Sequence, residues 1–433
     1  MIAGQRLFLL TLIFWIYAEP LAPWTGIAGE ATCWTRFFGA PGSSITDFVA
    51  DSQGIWAAGR MTGDGTTPVL WVALLGANGR VLWQLPLPAQ GYQLHPRLAP
   101  GRDAMRVLAE IPLPSAPARG GGSLGASGLW IGSVDRAGRL VGQQTLAPHR
   151  VTTVQAVAPL DDGGLLLAGL AESGPDPVSK GWLARLDRDG RLAGQHLLPQ
   201  VSWLTSLFRV DTETWLVAGT AHADGGGPRP WLATVDQEGR IRQSWSPAVD
   251  DFSLTDAVAT VDAFWLAGEG PSGVGGTRLL RIGRAGAQVA EYPVTGFAVL
   301  RRLAVTGHGL LAGGDGPEDR SPTEPESAPG GLVLSGEAMA DPTRVAGSPA
   351  GAVSVFRFHD LPAGELHALS VFPGKERQSG PVLLGAGTHP DRGAWIGCVP
   401  ANAPPARRGV PKARVSDSNQ LFFHTPEARE GER

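Results

Sequence analysis

One unit recurs along this chain, and it limits what the chain can fold into. An apolar run ending in Ala-Gly comes first, then a loop rich in Gly and Pro, then Trp-Leu-Ala-x-Leu-Asp-x-x-Gly-Arg, then another short apolar run. The first half occurs as Ile55–Gly59, Arg106–Glu110, Leu165–Gly169, Trp215–Gly219, Phe264–Gly268, Gly309–Gly313 and Leu383–Gly387, mostly at intervals of 45 to 59 residues, with 74 for the last. The second half is clearest at Trp71–Arg80, Trp130–Arg139, Trp182–Arg191 and Trp231–Arg240, with a degenerate copy at Arg278–Gly286. Runs this short, bounded by turn residues, fit period-2 strands rather than helices of about ten residues or more. Four short strands per unit, repeated radially, predict a β-propeller.

The turn between the third and fourth strands carries its own chemistry. It reads Asp135-Arg136-Ala137-Gly138, Asp187-Arg188-Asp189-Gly190 and Asp236-Gln237-Glu238-Gly239, with Gly76-Ala77-Asn78-Gly79 in the first unit. Asp at the first position caps backbone N–H groups, and Gly at the fourth supplies the positive φ of a hairpin bulge. A calcium loop would need further oxygen ligands that no copy supplies.

The repeat resembles those of β-propeller proteins secreted by bacteria, with a pattern close to W-T-x-x-F-G, G-G-x-L-x-A-G and W-L-x-x-L-D-x-x-G. Here these are Trp34–Gly39, Gly163–Gly169 and Trp182–Asp187, and the resemblance spans residues 33 to about 399. It implies a fold, while propellers of this kind serve unrelated roles. The expectation is an all-β, seven-bladed propeller of four-stranded antiparallel blades, its ring closed by the N-terminal strand. Trp34–Gly39 looks like a fourth strand with no third before it. Trp395–Val399 looks like a third strand with no fourth after it. Pairing them removes two open edges. Aligning the two segments on the first unit places Cys398 at Leu74 and Cys33 at Leu82, opposite each other or nearly so. A Cys33–Cys398 disulfide follows as an expectation in an oxidising compartment, with two unrelated buried thiols as the alternative.

The termini read differently from the repeat. Arg6 followed by Leu7–Ala18, a 12-residue apolar run broken only by Thr11, is too short to span a bilayer and has the form of an export signal. Gly29-Glu30-Ala31 offers small residues for cleavage, giving a signal peptide over 1–31, a propeller over 32–400, and a disordered Pro/Arg-rich tail over 401–433. An uncleaved anchor and a short core helix remain alternatives for the N-terminal run. The mature chain is expected in the periplasm or outside the cell, as a monomer. Charged residues make up 18% of the chain, with a net charge of -4 and a pI near 6.2, which leaves no electrostatic footprint for nucleic acid.

Loops after the second strand rise beside the mouth of the central channel, and variable loops on a rigid scaffold are the usual seat of binding. Polar residues at or just past the Ala-Gly ends form the candidate binding set: Arg60, Glu110, Glu172, His222, Glu269, Asp315 and His389. No His-x-His, His-x-x-x-His or Cys pair gives close metal-ligand spacing, so no metal and no cofactor are expected. The arginines closing the turns, Arg80, Arg139, Arg191 and Arg240, are expected to pair with their own turns rather than with a partner. No G-x-S-x-G, P-loop, H-E-x-x-H or C-x-x-C-H motif is present. The sequence therefore points to a non-catalytic binding or scaffold module for a protein, glycan or envelope partner. The alternative is a lyase or hydrolase working at the channel mouth through His222, His389, Glu269 and Asp315.

Overall fold

The computed structural model describes residues 34–51, 53–62, 68–90, 95–112, 127–146, 150–173, 178–222, 226–270, 277–286, 288–294, 299–306, 309–315, 330–335, 353–357, 365–372, 382–389, 392–400, 413–415 and 421–423. Thirty short strands account for most of them. Six four-stranded sheets are each built from consecutive strands: β2–β5 within residues 44–90, β6–β9 within 97–146, β10–β13 within 150–198, β14–β17 within 201–245, β18–β21 within 253–294 and β22–β25 within 299–357. A further four-stranded sheet is composite. It holds β26 (Glu365–Phe372), β27 (Val382–His389) and β28 (Gly393–Pro400), and β1 (Thr35–Phe38) from the other end of the chain pairs antiparallel with β28. The expected seven-bladed ring closed by the N-terminal strand is corrected by this topology: six blades are each built from four consecutive strands, and the further sheet is not a blade of that kind but places β1 beside β28. All the blade pairings are antiparallel, so the architecture is an all-β propeller.

The first strands of the sheets are β2 (Ser44–Asp51), β6 (Arg97–Pro100), β10 (Arg150–Pro159), β14 (Val201–Arg209), β18 (Ser253–Ala259), β22 (Val299–Thr306) and β26. They stand side by side, with β26 against β2. The apolar core lies between successive sheets rather than within them. One layer packs Phe38, Ile396 and Cys398 of the composite sheet on Ile45, Ala57 and Trp71 of the first blade. Others join the first blade to the second through Trp56, Leu98 and Trp130, and the fourth to the fifth through Leu216, Phe252 and Phe264. Trp56, Trp182, Trp215, Trp265 and Trp395 are the largest fully buried side chains, and each large ring removes substantial apolar area from water.

The Ala-Gly ending of the repeat has a steric cause. In most sheets the first strand carries a β-bulge, between Ile45 and Asp47 in the first and between Leu254 and Asp256 in the fifth. The bulge drives its backbone into the second strand. A Cβ on Gly59 would lie 1.9 Å from the Ser44 carbonyl oxygen, and one on Gly169 2.0 Å from that of Thr153. In the second blade the residue facing the third-strand Trp130 is Ala109, not Glu110, so the repeat ending there is displaced by one from the Arg106–Glu110 reading. Strand β6 pairs no further than Arg97 with Leu108, and the ladder has no bulge, so a side chain is tolerated at Ala109. In the sixth blade Gly314, rather than Gly313, meets the bulged backbone, at 1.9 Å from the Val299 oxygen.

The third-to-fourth-strand turns follow their sequence. Asp135 Oδ1 accepts the N–H groups of Ala137 and Arg139, both at 2.9 Å, and Asp187 Oδ1 those of Asp189 at 2.9 Å and Arg191 at 2.8 Å. Gly138 and Gly190 take φ of 78° and 81°. Arg139 and Arg240 donate through Nε to the carboxylates of their own turns, Asp135 at 2.8 Å and Asp236 at 2.9 Å. The degenerate fifth copy is a substitution of one interaction for another. The third-strand indoles of Trp71, Trp130 and Trp182 donate to Gln84, Gln143 and Gln195 on the fourth strand at 3.2–3.3 Å. In the fifth blade Arg278 and Glu291 occupy those places as an ion pair of 2.9 Å.

Neighbouring blades also lock through their turns. The indole of Trp34 covers Gly79 and donates to Ala77 O at 3.1 Å, and the indole of Trp83 covers Gly138 and donates to Arg136 O at 2.8 Å. Trp34 is also the residue that faces Cys398, with the Cys398 N–H donating to Trp34 O at 2.9 Å and Cys398 Sγ accepting the Trp34 N–H at 3.1 Å. In the first blade Leu74 likewise pairs with Trp83, the residue next to Leu82. Cys33 lies outside the described residues, and the expected disulfide falls there. In the C-terminal segment, β29 (Ala413–Val415) and β30 (Leu421–Phe423) form a two-stranded sheet. No helix among the described residues is long and apolar enough to cross a membrane.

Candidate functional site

A cavity of about 570 Å³ runs along the axis of the propeller, lined by residues of all the first strands. Its charged lining includes Asp47, Asp256 and Arg302, each just after a bulge with Ser206 at the same register, together with Arg97 on the unbulged β6 and Arg209 at the end of β14. A polar residue is tolerated there because the strand's inner edge meets channel solvent instead of another sheet. The same residues stitch each blade to the next. Asp47 Oδ2 accepts the Leu98 N–H, and Asp256 Oδ2 the Leu303 N–H, both at 2.8 Å. Ser206 Oγ donates to Asp256 Oδ1 at 2.8 Å and accepts the Ala257 N–H at 2.9 Å. Arg97 donates to Thr46 O at 3.1 Å and to Gln155 Oε1 at 3.2 Å, and Arg302 Nε to His367 O at 2.7 Å.

Asp47 and Asp256 face the channel but are surrounded by protein on their other sides. That burial pushes both carboxyls above the usual range, with Arg97 and Arg302 respectively opposing the shift. His367 is pulled down to about 3, chiefly by burial and then by Arg302, so it is neutral at physiological pH and shares a 2.8 Å hydrogen bond with Thr388 Oγ1. Among the described residues no group of three His, Cys, Asp or Glu is placed to hold a metal ion.

The sequence-derived candidates occupy a different level, at the loop ends of the second strands. Arg60, Glu110, Glu269 and Asp315 share one register position there, just past the residue that meets the bulge or its equivalent. Arg60 and Glu269 are half-buried, and His222 is exposed two residues beyond the corresponding Thr220. The side chains of Glu172, Asp315 and His389 lie outside the described residues, as do the middles of the variable loops. Glu110 is 7% exposed, and its Oε1 accepts the Val154 N–H of the next blade. Thr220 does the equivalent work two interfaces later, its Oγ1 accepting the Leu254 N–H at 2.9 Å. The channel residues Asp47, Arg97, Asp256 and Arg302 were not singled out by the sequence reading. Their signal was the pairing of an Asp with an Arg-Leu roughly one repeat later, the bonded residues being 51 and 47 positions apart.

Burial raises the Glu110 carboxyl to about 7, with the Val154 bond and Arg97 opposing the shift. An acid whose folded pKa exceeds its unfolded one binds more protons when folded, so its contribution favours the fold at low pH and is lost as pH rises. The window is from about 4.5 to about 7. At about 1.4 kcal/mol per unit the shift corresponds to about 3 kcal/mol. Glu110→Gln keeps an acceptor for Val154 and removes the titration. The difference in unfolding free energy between the Gln variant and wild type, followed by urea melts, is expected to grow by about 3 kcal/mol from pH 4.5 to 8. A difference independent of pH would refute the assignment.

No family model matches the chain, and no curated protein matches it. Solved structures do. Hydrazine synthase of Kuenenia stuttgartiensis aligns with a TM-score of 0.54 at 11% identity, over 85% of this chain and 98% of that one. The Pan2 WD40 domain of Neurospora crassa aligns at 0.48 and 10% identity, over 84% and 91%. The β-propeller domain of the trilobed protease of Pyrococcus furiosus aligns at 0.47 and 7% identity, over 85% and 97%. At such identities the likeness is one of fold alone.

Proposed function

We propose that the chain is an exported binding module that presents the loop end of its channel to a protein or glycan. What supports this reading is Trp203. It sits on the innermost strand β14, paired with Thr220 beside the loop that follows the second strand, and is 46% exposed. Exposing a large ring there serves no packing purpose, whereas tryptophan is the residue type most enriched at the centre of interfaces and combines an apolar face with a polar edge. Its setting is stiff: Ser202 Oγ donates to Thr220 O at 3.0 Å, and Thr220 itself is tied to the next blade. A preorganised ring lowers the ordering cost of binding.

The test is native mass spectrometry of the mature protein recovered from its own envelope fraction, alongside Trp203→Ala. A stoichiometric protein or glycan partner, retained by wild type and bound about 30-fold more weakly by the variant, is expected for a residue of this kind. A partner held equally by both proteins, or a small substrate turned over in the channel, would overturn the reading.

A further inference from the structure

We propose that the ligand at the Trp203 side of the channel mouth is a carbohydrate, with one sugar ring stacked on the indole and two vicinal hydroxyls held by the Asp251 carboxylate. This rests on the reading of Trp203 as a binding residue and names what that residue binds. The direction of the ring follows from its strand. Leu204 packs towards the third blade with Ala158 and Leu160, so Trp203, its neighbour in an alternating strand, faces the fifth. Its cross-strand partner Thr220 faces the same way and accepts the Leu254 N–H of that blade at 2.9 Å. The segment that leads into the fifth blade is therefore held along the Trp203 side of the fourth. Its second tie is the Phe252 N–H, which donates to Pro228 O at 2.8 Å, and Pro228 is paired with His222.

His222, Asp251 and Ser253 are exposed there, and no hydrogen bond or ion pair among the described residues engages their side chains. The neighbouring Asp250 is already paired with Arg229 at 2.6 Å. Asp251 takes a φ of 53°, the one positive value among the described non-glycine residues. Such a conformation persists where the surroundings over-determine it. Here Arg278 Nη2 donates to the Asp251 carbonyl, and the carboxylate lies over Gly227, where an added Cβ would be 1.8 Å from Asp251 Oδ1. The carboxylate is thus set in place before a ligand arrives. It can accept from two adjacent hydroxyls in charge-assisted bonds, while the electron-rich face of the indole meets the C–H face of a sugar. A protein partner would be met by a cluster of apolar side chains at the centre of the contact. Among the described residues Trp203 is the sole large apolar side chain exposed at this end: Leu82, Val141 and Ile241 follow turns at the opposite end, Val261 lies in one, and Val305 lines the channel.

The probe is the envelope fraction of the cells that make the protein, used untreated, after proteolysis, and after mild periodate oxidation, which cleaves vicinal diols. Its binding to the whole protein is compared with that of Trp203→Ala, Trp203→Phe and Asp251→Asn, each checked for an unchanged melting temperature. Asn tolerates the positive φ, so Asp251→Asn removes the charge and keeps the backbone. Binding by wild type should survive proteolysis and be lost after periodate. It should fall about 30-fold in Trp203→Ala and about tenfold in Asp251→Asn, and by less than about tenfold in Trp203→Phe, which keeps a stacking ring. The treatments are decisive on wild type alone where a variant fails to fold. Trp203-dependent binding that survives periodate and is lost on proteolysis would leave Trp203 a binding residue and overturn the carbohydrate. Equal binding by wild type and a folded Trp203→Ala would overturn both.

Discussion

Gly59→Val is expected to prevent the first blade from forming. Its Cβ would be placed 1.9 Å from the carbonyl oxygen of Ser44 and 2.9 Å from the Ile45 Cα, inside the contact distance of any two heavy atoms. The obstacle is backbone, not the end of a flexible side chain, and that backbone is held by the bulge whose other residues form the channel wall. Relief requires the first strand to leave the second, which breaks the β2 ladder and the stitch from Asp47 to Leu98 together. Overpacking of this kind costs at least about 3 kcal/mol and exceeds what a marginal fold tolerates. Gly219→Val, with its Cβ 2.1 Å from the Trp203 oxygen, should behave alike. The control is Gly142→Ala, where nothing lies within 4 Å of the added carbon. Removing a strand glycine in open space should stabilise by about 0.5–1 kcal/mol. Urea melts of the three variants decide the matter, and equal behaviour of Gly59 and Gly142 would refute the steric account of the repeat.

The same contrast explains how far the sequence could be read. Second and third strands are buried on both faces, so they appear as unbroken runs such as Leu165–Leu167 and Trp215–Ala218, and their turns are marked by residues with a backbone task. The first strands give no such signal. Bulges break their alternation, and one edge meets solvent, so Thr46, Gln155, Arg301 and His367 interrupt apolar residues that pack between sheets. A reading that starts from the Ala-Gly ending therefore finds the rim, with Arg60 and Glu269, and misses Asp47, Arg97, Asp256 and Arg302 below it. Glu110 was found for a position it does not hold. Counted as the glycine of its repeat, it is one residue further on, where a side chain reaches the neighbouring blade.

Asp256→Ala should destabilise the propeller by about 3 kcal/mol, more than any single hydrogen bond would suggest. The carboxylate serves three donors on three blades: the Ser206 hydroxyl of the fourth, the Ala257 N–H of its own, and the Leu303 N–H of the sixth. Ala257 keeps Ser206 Oγ as a second acceptor at 2.9 Å, but Leu303 has no other described acceptor, and a buried N–H without one bears its full desolvation cost. Some of that loss is offset, because a carboxyl that burial pushes up is itself an unfavourable group to keep ionised in the fold. Asp256→Asn separates the two effects. Its amide oxygen can still accept from Leu303 while the charge is gone, so it should cost about 1 kcal/mol, near the worth of one bond. Ser206→Ala should cost about as much alone and less in an Asp256→Ala background, since the hydroxyl has then lost its acceptor. Additive losses in that double-mutant cycle, measured by urea unfolding, would mean that the two residues act separately and that the blades are held by their apolar layers alone.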